Sequence, residues 1–272
     1  MVNILMDESE KNSTYKYLIE KINLEGTLHF SLIDPDPLRQ SPSDAAKIAK
    51  LCENAGTDVF LVGGSTCFDQ IFVDETIDAI KQEVDVPIII FPGSVSNVSS
   101  KADAIFFMSL LNSANPHFIV GHQALASHAI KMTCLETISM AYLIIEPGAA
   151  AGWVGEAKLL PRTQPKLTLA YALAAEMFGF KMIYLEAGSG GQSIPPEIVK
   201  LCSDVLTVPL IAGGGVQTKE DARKFVEAGA DVIVMGSFIE KTVLKDKAAS
   251  LKEIIDEIKD AGKKNLKKFS LK

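Results

Sequence analysis

The chain has 272 residues, is 47% hydrophobic and 22% charged, and carries a formal net charge of −7 at pH 7. This composition supports one large core and excludes collagenous, disulfide-framed and disordered classes. The acidic balance also argues against a general nucleic-acid binder, which needs a basic face to displace counterions.

The chain opens on polar and acidic residues, and "YKYLIEKINLEG" then predicts a helix, ending near Gly26, that covers the bottom of whatever follows. Eight short apolar runs come next: "TLHFSLIDPD", "DVFLVGGS", "VPIIIFPGS", "DAIFFMSLLNS", "MAYLIIEPG", "KMIYLEAGSG", "VPLIAGGGV" and "DVIVMGS". Near-continuous Val, Ile, Leu and Phe without polar alternation is the mark of strands buried on both faces, as in parallel sheets with helices outside. Eight of them in about 250 residues predict an α/β fold, a (β/α)8 TIM barrel in one domain spanning 1–272, with residues 1–26 as the helical cover and 260–272 as a basic tail.

Helices fit between most runs. Ser41 or Ser43 can cap the first and Gly56 can stop it; Thr218, with Asp221 three residues on, can cap the segment that Gly229 ends. Only about nine residues, "SVSNVSSKA", separate runs three and four, fewer than a helical crossover needs. The third barrel helix is therefore expected to be missing or replaced by an extended segment, leaving a gap in which a long ligand could lie. Phe91, Phe106, Phe107 and Met108 stand near that gap, where they also read as ordinary core. Cys52, Cys67, Cys134 and Cys202 show no CxxC pairing and read as plain thiols. No run approaches the roughly 18 apolar residues of a membrane span and no signal-peptide stretch forms, so a soluble, cytoplasmic protein is expected. The lysine-rich tail reads as a solvated, frayed helix end or as a weak attraction to anionic lipid.

In such barrels, function collects at the C-terminal ends of the strands, and phosphate is often held after strands seven and eight. Amides freed at Gly213, Gly214 and Gly215, with those of Gly236 and Ser237 at a helix start, can surround a phosphate. "AGSG" after run six can extend this cup. Glu186 then stands within reach of a bound hydroxyl as a general base, with Tyr184 on the same face of the strand to orient the ligand or fill the barrel. Asp34 and Asp36 in "IDPDP" offer oxygen ligands suited to Mg2+, and Ser65 at the end of the neighbouring strand can add another, although Asp and Pro also simply start turns.

With "SLIDPD", "VGGS", "FPG", "FFMSLLN", "EPGAAAGWVG", "YLEAGSG", "AGGGV" and "MGS" in this order, the chain resembles the geranylgeranylglyceryl phosphate synthase family over roughly residues 15 to 260, in its larger branch. The resemblance implies a Mg2+-dependent prenyltransferase of ether-lipid biosynthesis. The sn-3 hydroxyl of sn-glycerol 1-phosphate would displace diphosphate from an isoprenoid diphosphate, geranylgeranyl diphosphate first among candidates. By analogy Asp34 and Ser65 hold the metal. Tyr184, Leu185, Glu186, Ala187, Gly188, Ser189, Gly190, Gly214, Gly215, Gly236 and Ser237 bind the glycerol phosphate, with Glu186 as base. Leu32 stands where a lysine can stand in the other branch, leaving Arg39, Lys101 and Arg162 as unranked partners of the diphosphate. The resemblance also implies a homo-oligomer, dimer or hexamer; Trp153 in "GWVG", read as an exposed aromatic, is a candidate contact. The open alternatives are a barrel isomerase or lyase acting on a phosphorylated metabolite, and a non-catalytic carrier.

Overall fold

The computed structural model describes residues 13–65 and 69–271. Helix α1 (Thr14–Glu25) precedes β1 (Leu28–Ile33), α2 (Pro42–Ala55), β2 (Val59–Val62), α3 (Gln70–Lys81) and β3 (Ile88–Ile90). After β3 comes only a 3₁₀ turn, Val95–Asn97, before β4 (Ala104–Leu110). A π-helical turn (His117–Gly121) leads into α4 (His122–Thr133), followed by β5 (Glu136–Ile144), α5 (Ala149–Val154), α6 (Pro165–Met177), β6 (Met182–Glu186) and α7 (Pro196–Ser203). The chain continues through β7 (Leu210–Gly213), α8 (Lys219–Glu227), β8 (Val232–Met235), α9 (Ser237–Asp246) and α10 (Ala249–Gly262). The eight strands pair in chain order, all parallel, and β8 returns to β1, so the sheet closes into a (β/α)8 barrel.

The strands separate two apolar clusters. One face of each strand fills the barrel interior, with Phe30, Leu61, Ile89, Phe106, Met140, Tyr184, Ile211 and Val234 among the fillers. The opposite face packs against the helices. This two-sided burial is why the runs lack polar alternation.

Helix α2 is capped by Ser41, not Ser43: the Ser41 hydroxyl accepts the Asp44 N–H, and Pro42 takes the first helical position. Proline has no N–H to satisfy there, so the pair Ser41–Pro42 decides where the helix starts. Thr218 caps α8 through the Asp221 N–H, as its spacing predicts. Helix α1 closes the bottom of the barrel with Tyr15, Leu18, Ile19 and Ile22. Its first amides are held by Glu136 at the start of β5, whose carboxylate accepts from Thr14 N at 2.6 Å and Tyr15 N at 3.1 Å.

The missing third helix is borne out. Between β3 and β4 the chain is irregular, held by the buried Asn97, whose Oδ1 accepts the N–H groups of Gly93 and Ser94, each at 2.9 Å. Cys52 and Cys202 are buried and Cys134 exposed, all free; Cys67 lies outside the described residues.

The basic tail is not a frayed helix end. After α10 it runs back across the barrel bottom, where Phe269 N donates to Asn23 Oδ1 (2.7 Å) and Asn23 Nδ2 to Phe269 O (2.8 Å). Lys267 Nζ lies 2.9 Å from the buried carboxylate of Asp231, which also accepts Leu210 N. Burial raises the Asp231 carboxyl above its ordinary range, and Lys267 opposes that shift. Lys267→Met is therefore expected to lower stability by about 1–3 kcal/mol, since an unpaired buried carboxylate is left behind. Urea unfolding measures this, and an unchanged midpoint would mean that the strap carries no energy.

Candidate active site

Asp34, Ser65, Glu186 and the glycines after β6, β7 and β8 stand at one end of the barrel, where the strands finish. Glu186 is the last residue of β6, level with Ile144 of β5 and Gly213 of β7. It is 7% exposed, and its Oε1 accepts the Gly188 N–H at 2.6 Å. The Tyr184 hydroxyl donates to the same carboxylate. Burial raises the Glu186 carboxyl above the ordinary glutamate range, and the Gly188 amide, the Tyr184 hydroxyl and the Ala187 amide pull against it. Burial and the Glu186 charge together push the Tyr184 phenol well above its usual value, so it stays a proton donor. Tyr184 is not a free ligand-orienting hydroxyl: it is 1% exposed, stacks on Phe91 at 5.6 Å and meets Tyr142 edge-on at 5.1 Å. It fills the barrel and holds the carboxylate.

Beside Glu186 lies a hollow that brings together Ser189, Gly190, Gly214, Gly215, Gly236 and Ser237. Gly214 has φ +83°, and a Cβ there would lie 2.3 Å from Glu186 Oε1. No side chain could occupy that position without displacing the Glu186 carboxylate, so the glycine run serves Glu186 as well as the hollow. Leu185, Ala187 and Gly188 do not line this hollow; Leu185 and Ala187 point into the outer shell, and Gly188 meets Glu186 through its amide. Val216, Gln217, Phe238, Lys241 and Thr242 also line it. Loop composition alone does not reveal these, although the four-residue spacing of Ser237 and Lys241 on one helix was a usable signal.

Asp34 directly follows β1. Its half-buried carboxyl is pushed up to about 7 by burial, with the Glu240 and Asp36 carboxylates adding to the shift and Arg39 opposing it. Gly64 faces it so closely that a Cβ there would lie 2.6 Å from Asp34 Oδ1. Among the described residues no hydrogen bond to this carboxylate occurs, and no three His, Cys, Asp or Glu side chains converge on a metal-binding point. A carboxylate without donors, next to a cradle that a methyl group would fill, fits a hard cation that keeps most of its waters. Asp36, the other candidate, is turned away: its oxygens accept Leu38 N at 2.9 Å and pair with Arg39 Nε at 3.3 Å.

Ser65 sits where a second cavity begins. This trough passes Pro92, Ser94, Val95 and Val98 on one side and Phe118, His122, Ala126 and Ile130 on the other. Phe106, Phe107 and Met108 line it; Phe91 does not, being packed against Tyr142 and Tyr184 inside the barrel. Tyr142, on the inward face of β5, touches both the trough and Tyr184. The trough reaches the outer flank because no helix covers β3 and β4 there.

The three basic candidates are now separated. Arg39 lies beside Asp34, pairing with Asp36 and with Glu240 at 3.3 Å. Arg162 ties two loops together, its Nη1 donating to Glu146 O (3.2 Å) and Gln192 O (3.5 Å). Lys101 is on the outer flank, paired with Asp78 of α3 at 3.0 Å.

Residues 20–261 match the PcrB family. Geranylgeranylglyceryl phosphate synthase of Thermococcus gammatolerans is 52% identical over 234 residues, covering 86% of this chain and 92% of that protein. The protein of the same name from Methanosphaera stadtmanae is 49% identical over 243 residues, 89% of this chain and 98% of its own. Among solved structures, the (S)-3-O-geranylgeranylglyceryl phosphate synthase of Thermoplasma acidophilum in complex with sn-glycerol-1-phosphate superposes with a TM-score of 0.87 at 43% identity, covering 92% of this chain and 99% of that one. An N-acetylmannosamine-6-phosphate 2-epimerase from Clostridium perfringens also superposes, with a TM-score of 0.54 at 14% identity, a likeness of fold alone. With a family match across the barrel and such identity to those synthases over most of its length, the chain belongs to the PcrB family, in the company of the geranylgeranylglyceryl phosphate synthases.

Proposed function

We propose that the protein is a Mg2+-dependent prenyltransferase that joins sn-glycerol 1-phosphate to geranylgeranyl diphosphate, making 3-O-(geranylgeranyl)glyceryl 1-phosphate and diphosphate. The observation that carries the reading is the arrangement of two unlike cavities, one rich in amides and one apolar, on the same end of one barrel as a buried carboxylate. The trough's lining of Phe106, Phe107, Met108, Val95, Val98, Phe118 and Ile130 is apolar, which suits an isoprenoid chain.

Asp34 and Ser65 would hold Mg2+, which when bound would supply charge neutralisation to the leaving diphosphate. Arg39 stands next to that point and is the favoured side-chain partner for the diphosphate. The amides at Gly214, Gly215, Gly236 and Ser237, with Ser189 and Gly190, hold the glycerol phosphate. Glu186 accepts the proton of the sn-3 hydroxyl as its oxygen bonds to C1 and the C1–O bond to diphosphate breaks. Tyr184 and the Gly188 amide fix the carboxylate while this happens. Much of the acceleration comes from holding hydroxyl and C1 in contact.

No helix among the described residues is long and apolar enough to cross a membrane. We place the reaction in the cytoplasm and the protein in a homo-oligomer, dimer or hexamer, with Trp153 (85% exposed) a contact. A peripheral membrane contact, if made for prenyl delivery, belongs to the trough end, because the basic tail lies at the opposite end of the barrel.

Purified protein given Mg2+, sn-glycerol 1-phosphate and geranylgeranyl diphosphate is expected to release diphosphate and yield the prenyl ether by mass spectrometry. Absence of product with every prenyl diphosphate from farnesyl upward would remove the reading.

A further inference from the structure

The hollow beside Glu186 is built almost wholly of neutral groups: glycine amides, the hydroxyls of Ser189, Ser237 and Thr242, and the Gln217 amide. A phosphate dianion bound there, in a protein of net charge −7, would meet backbone dipoles and little else. Among the described residues one charged side chain lines the hollow, Lys241.

Its placement follows from helix geometry. Helix α9 begins at Ser237, and Lys241 is four residues on, so both share a face. Helical side chains lean toward the N-terminus, which carries the Lys241 stem back over the amides of Gly236 and Ser237. The neighbouring acid does not neutralise it, since Glu240 faces away to Arg39 at 3.3 Å. Among the described residues Lys241 forms no ion pair. Helix stability does not explain the position either, because a cation near a helix N-terminus opposes the macrodipole.

We propose that Lys241 is the cationic arm of the glycerol-phosphate cup, pairing its ammonium with the phosphate that the amides of α9 and β7 receive. The assignment rests on the function proposed above and adds a residue specific to the acceptor: Lys241 sets affinity for glycerol phosphate and leaves the prenyl diphosphate, at the Asp34 side, untouched.

Calorimetric titration of the full chain with sn-glycerol 1-phosphate, and separately with inorganic phosphate, tests this in wild type, Lys241→Met and Lys241→Arg. Lys241 is exposed, so all three are expected to share one melting temperature. The Met variant is expected to bind both ligands about tenfold more weakly, the loss of one charge-assisted contact, and the Arg variant to recover most of it. In turnover, KM for glycerol phosphate rises by the same factor while KM for the prenyl diphosphate and kcat hold. Wild-type affinity in the Met variant overturns the role of Lys241 alone. A wild type that binds neither ligand overturns the proposed function, and this inference with it.

Discussion

Asp34→Asn is expected to lower kcat/KM at least a hundredfold and to erase the Mg2+ dependence of what remains, because neutralising the diphosphate is worth several kcal/mol of transition-state stabilisation. The same substitution should have an opposite effect on the metal-free fold. The Asp34 carboxyl titrates near 7 in the folded chain and about 4 when unfolded. The folded state therefore holds the proton longer, and stability is lost as pH rises from about 4 through 7. At pH 8 without metal, the variant should melt higher than wild type, and the difference should fade at pH 4. Adding Mg2+ should raise the wild-type melting temperature at pH 8 and leave the variant where it was. A variant with normal activity and an unchanged response to Mg2+ would show that the metal assignment is wrong.

The second large effect concerns Glu186→Gln. Removing a general base costs typically 10²–10⁴-fold, and the loss should appear in kcat while KM for glycerol phosphate stays near wild type, since the cup amides are intact. The pH profile provides a separate check. Burial holds the folded Glu186 carboxyl above its usual value, and only the ionised form accepts a proton. Wild-type kcat should therefore climb with pH through a midpoint above the ordinary glutamate range, a limb that the Gln variant should lack. If the variant keeps that limb, another group is the base. Tyr184→Phe is a useful companion: it removes a donor that favours the ionised carboxylate, so the midpoint should move further up.

Much of this was legible before any coordinates. Strand runs buried on both faces lack polar alternation, and eight of them in about 250 residues, with helical segments between, pointed to the barrel. The shortness of "SVSNVSSKA" is a matter of chain length, and no helix could have been fitted there. Strand alternation put Tyr184 and Glu186 on one face, and Ser41, Pro42 and Thr218 marked helix starts through local hydrogen bonding. Family likeness pointed to the reaction.

Tertiary structure alone decided matters that depend on who stands across the barrel mouth. Asp34 and Asp36 are alike in sequence, yet the first faces Gly64 from the next strand and the second is spent on Arg39 and the Leu38 amide. Arg39, Lys101 and Arg162 could not be ranked until their partners were known, because a cation's availability is set by nearby carboxylates from other elements. The tail lysines looked solvated because the buried partner of Lys267 lies 36 positions earlier. Periodicity reports which way a side chain points along its own element. What it meets there is fixed by the closure of the sheet, which brings β8 against β1 and leaves the flank at β3 and β4 uncovered.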